Sequence, residues 1–312
     1  MRLGFLLSHD PNEKRVALLP SHIFKFPDEI WIEENFGRSM NINDDEYVAR
    51  GCSIHPRHDI FKACESIFSL TLIQPEKYDY ISPCQTIIGW MRLNSGGVNF
   101  VQKQALPKAL FLVDLENRSP AIYHNSQKYP IPWIPGGYLY KNSFLAGTIC
   151  VMHACLSLGF LINEQTKVAI LSAGNASQGA FNYVSKFTSQ VRLFYRNTMG
   201  DFRDSIGDYD IIINGIKIDN ANTHIISKEM TSRIKKGGLV IDIAAEPDKA
   251  IEGTRGTTLE NPIYEKDGRY YYMVHNTPSL FYRRSSEILS EAFSRYVFSH
   301  SLLDYLKLTE KK

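Results

Sequence analysis

The chain has 312 residues, 44% of them hydrophobic and 22% charged, with a formal net charge of +2. That length suffices for two α/β lobes, and the near-neutral balance leaves no basic stripe to capture nucleic acid or an anionic membrane. Five cysteines, Cys52, Cys64, Cys84, Cys150 and Cys155, are odd in number and form no C-x-x-C pair, which reads as reduced thiols of a cytoplasmic protein.

The first apolar run, residues 3–7, is too short for a signal sequence and is followed by acids, so it is predicted as a strand. Short apolar runs recur at 29–32, 67–72, 86–90 and 110–113 between helical stretches, the alternation of a mostly parallel sheet with helices on its faces. The Pro/Gly-rich stretch 129–137 is expected to be irregular and to mark the domain boundary. Residues 144–162 carry no charge and approach the length of a membrane span. Gly147, Thr148, His153, Ser157 and Gly159 interrupt them and no Lys/Arg-rich flank is present, so a buried helix linking two lobes is expected instead.

Residues 167–198 read as strand, small-residue turn, helix and second strand, half of a dinucleotide-binding unit. The turn Ser172-Ala-Gly-Asn-Ala-Ser177 keeps one glycine of the G-x-G-x-x-G pattern, Gly174, with Ser172 and Ser177 at the outer positions. Gly179 and Ala180 are expected to supply the close packing one turn later. A diphosphate would lie at the helix N-terminus, on the backbone of Ser172, Gly174, Asn175, Ala176 and Ser177, where N–H groups lack intrahelical partners and the dipole is positive. A βαβ unit without nucleotide is the alternative. The second strand ends in Tyr195-Arg196-Asn197-Thr198, where NAD-binding units place an acid. Arg196 can pair with a 2′-phosphate and Asn197 or Thr198 can donate to it, which favours NADP(H); a solvated arginine is the other reading.

Later strands are predicted at 209–214, 238–243 and 270–274. Residues 279–308 place Leu280, Ile288, Leu289, Phe293, Val297, Leu302 and Leu306 at helical spacing, in a segment expected to pack back on the first lobe. The predicted fold is α/β, with two Rossmann-like lobes, mostly parallel sheets and a cleft between them. Residues 1–140 with 280–312 form the substrate-binding lobe, and 141–279 the NADP(H)-binding lobe.

Five motifs in order, Asn12-Glu-Lys-Arg15-Val-Ala-Leu-Leu-Pro20, Ser143-Phe-Leu-Ala-Gly147, Gly174-Asn-Ala-Ser-Gln-Gly179, Ile241-Asp-Ile-Ala-Ala-Glu246 and Asn276-Thr-Pro278, resemble the alanine dehydrogenase and transhydrogenase family over nearly the whole chain. The short length, with Ile73-Gln-Pro75, Ile88-Gly-Trp90, Gln104-Ala-Leu-Pro107, Leu139-Tyr-Lys-Asn-Ser143, Ala250-Ile-Glu-Gly253 and Asn276-Thr-Pro-Ser-Leu280, is most similar to members that condense pyruvate with the side-chain amine of ornithine and reduce the imine with NADPH.

The resemblance implies that Arg15 binds the keto-acid carboxylate, a task its planar fork suits, although Arg15 also reads as a surface arginine in a polar loop. It implies small-molecule partners, a keto acid and an amino acid such as ornithine or lysine, in a homo-oligomer. Ser143 and Asn276 are expected to close on the cofactor. Where the family keeps a lysine and a histidine for the carbonyl and the proton, this chain has Ile73 and Arg92. Isoleucine can do neither job and arginine stays protonated, so Arg92 either holds a second carboxylate or is an ordinary salt-bridged arginine. Lys77, Lys141, Glu246 and His275 remain as groups for the amine and its proton. Glu246 stands where the family keeps a carboxylate beside the nicotinamide, and His275 has a suitable pKa but also reads as structural. No metal is expected: His55 and His58, in His-Pro-Arg-His, have no carboxylate or cysteine cluster beside them. Two other readings stay open, reductive amination with ammonia and a non-catalytic NADP(H)-binding protein.

Overall fold

The computed structural model describes residues 1–10, 12–93, 96–116, 118–218 and 224–310. It divides into two compact units, Met1–Leu139 with Tyr282–Lys312, and Tyr140–Phe281. In chain order the helices are α1 (Asp44–Val48), α2 (Arg57–Ala63), α3 (Val98–Phe100), α4 (Tyr140–Leu158), α5 (Asn175–Val184), α6 (Met199–Ser205), α7 (Lys228–Arg233), α8 (Tyr282–Tyr296) and α9 (Leu302–Glu310).

The first unit holds strands β1 (Arg2–Leu6), β2 (Glu29–Glu33), β3 (Ser53–His55), β4 (Ser66–Ser69), β5 (Thr86–Gly89), β6 (Phe111–Asp114), β7 (Ala121–His124) and β8 (Gln127–Pro130), in the order β3-β2-β1-β4-β5-β6-β7-β8. The pairs are parallel as far as β6, and β7 and β8 then add an antiparallel edge. Period-two alternation sends neighbouring residues to opposite faces. Phe68, Ile88 and Val113 join Phe5 and the C-terminal Phe293 in one core, while Ile67, Ile87 and Leu112 join Phe61 and Phe100 in another. A sheet covered on both faces needs continuous apolar strands, which is why β4 and β5 read as unbroken runs.

The expectation that 129–137 is wholly irregular is corrected: Tyr129 and Pro130 belong to β8. Proline is tolerated there because β8 is the edge strand and its outer side makes no ladder bonds. The chain passes to the second unit only between Leu139 and Tyr140.

The second unit holds β9 (Val168–Leu171), β10 (Val191–Phe194), β11 (Ile211–Asn214), β12 (Leu239–Asp242), β13 (Ile263–Lys266) and β14 (Arg269–Tyr272), ordered β10-β9-β11-β12-β14-β13 and parallel except for β13. In both sheets the strand order reverses beside the unit's first strand, at β1/β4 and at β9/β11. In open α/β sheets such a switch point, at the carboxyl ends of the strands, is where ligands bind.

The apolar helix α4 packs on α5 at two glycines. A Cβ on Gly147 would lie 1.7 Å from the Ala176 carbonyl oxygen, and one on Gly179 would lie 1.9 Å from that of Phe144. The close approach expected of Gly179 is thus to α4, a helix–helix contact. Thr148 Oγ1 reinforces it by donating to the Gly179 carbonyl at 3.0 Å. Among the described residues no helix is long and apolar enough to cross a membrane. All five cysteines are free thiols. Burial pushes Cys52 up to about 11 and Cys64, Cys150 and Cys155 up to about 12, which leaves those four unreactive.

Candidate active site

In the first unit the site residues follow the carboxyl ends of β1, β4 and β5. Beyond β1 the described residues up to Leu19 form no helix or strand and include Glu13 and Arg15. Arg15 Nε donates to Glu13 Oε1 at 2.7 Å, Nη2 bonds Oε2, and the Arg15 backbone N–H also reaches Oε1 at 3.1 Å. Only 1% of the arginine side chain and none of the glutamate is exposed. The guanidinium carbon lies 4.8 Å from the Trp90 ring centroid, a cation–π contact. The surface-arginine reading of Arg15 is therefore corrected: this is a buried guanidinium with its plane fixed by a carboxylate and an indole. Ile73, beyond β4, is buried. Arg92, beyond β5, is exposed in a left-handed conformation (φ 47°), and its N–H donates to Glu116 Oε2 at 3.1 Å. Lys77 lies in a 3₁₀ turn with its ammonium 5.3 Å from the Tyr80 ring centroid.

In the second unit the turn between β9 and α5 has the features a diphosphate needs. Ser172, at φ 95°, accepts the Gly174 N–H on its hydroxyl at 2.9 Å and so braces the turn. The N-cap of α5 is Gly174, which has no side chain to cap it, and the first turn holds no acid. Ala173, Gly174 and Asn175 are exposed, so the positive helix end is open to an anion. One expectation, the Thr198 hydroxyl as a donor to the phosphate, is corrected. Ser177 is turned inward: its hydroxyl donates to the Leu171 carbonyl at 3.1 Å, where a Cβ on Gly215 would meet it at 2.1 Å. That leaves its backbone, the part expected to face a ligand. Thr198 spends its hydroxyl on the Tyr195 backbone, accepting the N–H at 2.8 Å and donating to the carbonyl at 3.3 Å. Arg196 and Asn197 are exposed beyond β10, and Arg196 has no ion-pair partner among the described residues. The neighbouring Arg192 is paired with Asp201 at 2.6 Å.

At the ends of β11 and β12, the register partners Asn214 and Asp242 form a buried pair. Asn214 Nδ2 donates to Asp242 Oδ1 at 2.9 Å, and the same oxygen accepts the Ala244 N–H at 3.1 Å. Asp242 Oδ2 is buried with no hydrogen-bond partner among the described residues. Burial pushes the Asp242 carboxyl up to about 6, against the opposing pull of those bonds. This pair anchors the turn that passes through Ala245, at φ 50°, to Glu246. Glu246 pairs with Lys217 at 3.3 Å and with Lys249 at 3.6 Å, so its ammonium partners here come from its own chain. Ser143 and the exposed Lys141 lie in the first turn of α4. His275 is exposed, and Asn276 is left-handed at φ 61°.

Residues 9–116 match the model of the alanine dehydrogenase/PNT N-terminal domain, and residues 162–310 that of the C-terminal domain. The chain is 50% identical over 306 residues to the N(5)-(carboxyethyl)ornithine synthase of Clostridium botulinum, covering 98% of this chain and 96% of the relative. The chain belongs to the alanine dehydrogenase/PNT family. A second relative with the synthase name, from Lactococcus lactis, is 46% identical over 308 residues and 99% of both chains. Alanine dehydrogenase 1 of Staphylococcus aureus is 24% identical over 318 residues, 91% of this chain and 83% of the relative. Among solved structures, an L-alanine dehydrogenase superposes with a TM-score of 0.79 at 19% identity, covering 99% of this chain and 93% of that one. A transhydrogenase from Sinorhizobium meliloti gives 0.77 at 17%, covering 99% and 96%. Family membership makes the chain an oxidoreductase with a nicotinamide cofactor, and the open turn at 172–175 fits the cofactor's diphosphate.

Glu13, Trp90, Asn214 and Asp242 were not expected at the site, although Glu13, Trp90 and Asp242 lie inside motifs that carry the family resemblance. Asn214 and Asp242 are polar residues closing apolar strands, a pattern that marks the carboxyl edge of a sheet. Asp242 also sets a pH dependence. Its carboxyl ionises near 3.8 when unfolded and near 6 when folded, so its contribution to stability is complete below about pH 4 and is lost as pH rises through 6. The loss is about 3 kcal/mol. Asp242→Asn keeps the Oδ1 acceptor and removes the ionisation. Denaturation of both proteins at pH 4 and pH 7 is expected to show the variant gaining on the parent at the higher pH, and an unchanged difference would refute the assignment.

Proposed function

We propose that the chain catalyses the reaction for which its synthase relatives are named, condensing pyruvate or a similar 2-keto acid with the side-chain amine of ornithine or lysine and reducing the imine with NADPH. The identity of 46–50% over nearly the full length of those relatives is the observation that carries this reading. Arg15, with its plane fixed by Glu13 and Trp90, holds the keto-acid carboxylate and so presents the carbonyl in one orientation. The donor amine attacks as the free base, and the carbinolamine oxygen leaves as water. Glu246 can hold the donor's ammonium or take its proton, with Lys77, Lys141 and His275 as further candidates for the proton and Arg92 for a second carboxylate. The nicotinamide supplies the hydride. A reducing cytoplasm suits the five free thiols, and we include assembly as a homo-oligomer in this reading.

NADPH consumption with pyruvate or 2-oxoglutarate, each paired with ornithine or lysine, tests the reaction. Turnover with ammonia alone would select reductive amination, and NADPH binding without turnover on any pair would select a non-catalytic protein. The exposed Arg196, with no acid beside it, supports NADPH over NADH. Arg196→Ala is expected to weaken NADPH by about 1.5–3 kcal/mol, roughly 10- to 150-fold, with NADH little changed. Equal losses for both nucleotides, measured by fluorescence titration, would remove Arg196 from the 2′-phosphate site.

A further inference from the structure

The segment that carries Arg15 is buried from Arg15 to Leu19, yet those residues form no helix or strand. Buried backbone N–H and C=O groups need partners, and here side chains provide them. The Val16 N–H donates to Ser286 Oγ at 2.8 Å and the Leu19 N–H to Ser290 Oγ at 2.8 Å. Tyr47 OH donates to the Leu18 carbonyl at 2.9 Å, and Ser39 OH to that of Lys14 at 2.6 Å. Ser286 and Ser290 are one turn apart on α8, so both hydroxyls lie on one face, and both residues are fully buried. Serine is a poor choice for the buried face of a helix, because an enclosed hydroxyl without a partner is costly. At these two positions the loop is a partner, and Ser290 Oγ also lies 3.0 Å from His22 Nδ1 in the 3₁₀ turn that follows.

The bond to Val16 fixes the peptide plane that joins it to Arg15, and that plane sets the direction in which the arginine side chain leaves the backbone. We infer that Ser286, assisted by Ser290, is a positioning residue for the keto-acid site, holding Arg15 in the orientation that receives the carboxylate. The inference rests on the reading of Arg15 as the keto-acid binder. Ser294, the next serine along the face, supplies the control: it is buried on the same helix, and its hydroxyl has no partner among the described residues.

The experiment measures KM for pyruvate and for the amine, Kd for NADPH and thermal stability in Ser286→Ala, Ser286→Thr, Ser290→Ala, Ser294→Ala and Arg15→Met. Ser286→Ala should raise the pyruvate KM about tenfold, the loss of one hydrogen bond, with kcat, the amine KM and the NADPH Kd unchanged. Ser286→Thr, which keeps the hydroxyl, should restore the pyruvate KM, and Ser294→Ala should leave it at the parent value. Should Ser286→Thr be too bulky to fold, Ser290→Ala is the second variant, with a smaller rise in the same constant. Ser286→Ala and Ser294→Ala moving the pyruvate KM equally would overturn the inference, as would a parallel loss of NADPH. If Arg15→Met leaves pyruvate affinity intact, the reading of Arg15 itself has failed, an outcome the serine variants alone do not produce.

Discussion

Arg15→Ala is expected to destabilise the first unit by about 3–5 kcal/mol, the cost of breaking a buried ion pair from one side. Glu13 has no exposed side-chain surface, and removal of the guanidinium takes away the bonds it receives from Nε and Nη2. The double variant Glu13→Gln/Arg15→Met removes both charges, keeps the volume and should recover most of the loss, since replacement of a whole buried pair is often near neutral. Urea denaturation followed by tryptophan fluorescence reads this unit selectively, because Trp31, Trp90 and Trp133 all belong to it. A loss below about 1 kcal/mol would mean that Glu13 gains another partner or a proton when Arg15 is absent. The two variants also separate structure from function: both should fail to bind the keto acid, whether or not stability returns.

Gly179→Ala is expected to cost about 3 kcal/mol and to weaken NADPH at least tenfold. The added Cβ would stand 1.9 Å from the Phe144 carbonyl oxygen and 2.8 Å from its carbon. Both are backbone atoms of α4, so relief requires the helices themselves to part. Movement of α5 displaces the N–H groups that would face a cofactor diphosphate. Gly174→Ala is the contrast. Its Cβ meets only Ser172 Oγ, at 3.4 Å, and its φ of −66° suits alanine. That variant should keep its melting temperature and still lose NADPH, because the methyl fills the side from which the diphosphate approaches. Circular dichroism melts and nucleotide titrations of the pair check this, and a stable, tightly binding Gly179→Ala would refute the packing account.

The β9–α5 unit was legible because a buried parallel strand is a pure apolar run and its turn is made of small residues. Strands β3, β7, β8 and β13 were not, since none is fully buried and β8 and β13 carry charges on exposed edges. Arg15 stood out by residue type and motif. The pairing of Asn214 with Asp242 did not, because they lie 28 positions apart and meet only through sheet order. Thr198 illustrates the opposite failure. A hydroxyl that suits a phosphate also suits the local backbone, and at Thr198 the backbone took it. The serines of α8 carry no pattern at all until the loop they bind is known.

The clasp between α8 and the Arg15 loop dictates an order of assembly. The second unit is one continuous stretch and can close as soon as it leaves the ribosome. The first unit cannot: Leu19 awaits Ser290, 271 residues downstream. At 5–20 residues per second that interval is roughly 15–55 s. Throughout it, Phe5 and Phe68 lack the aromatic cover of Phe298 and Phe293, with which they stack edge-on at 4.9 and 5.4 Å in the finished protein. Until α8 emerges, one face of the first unit's sheet is therefore without the side chains that complete its core.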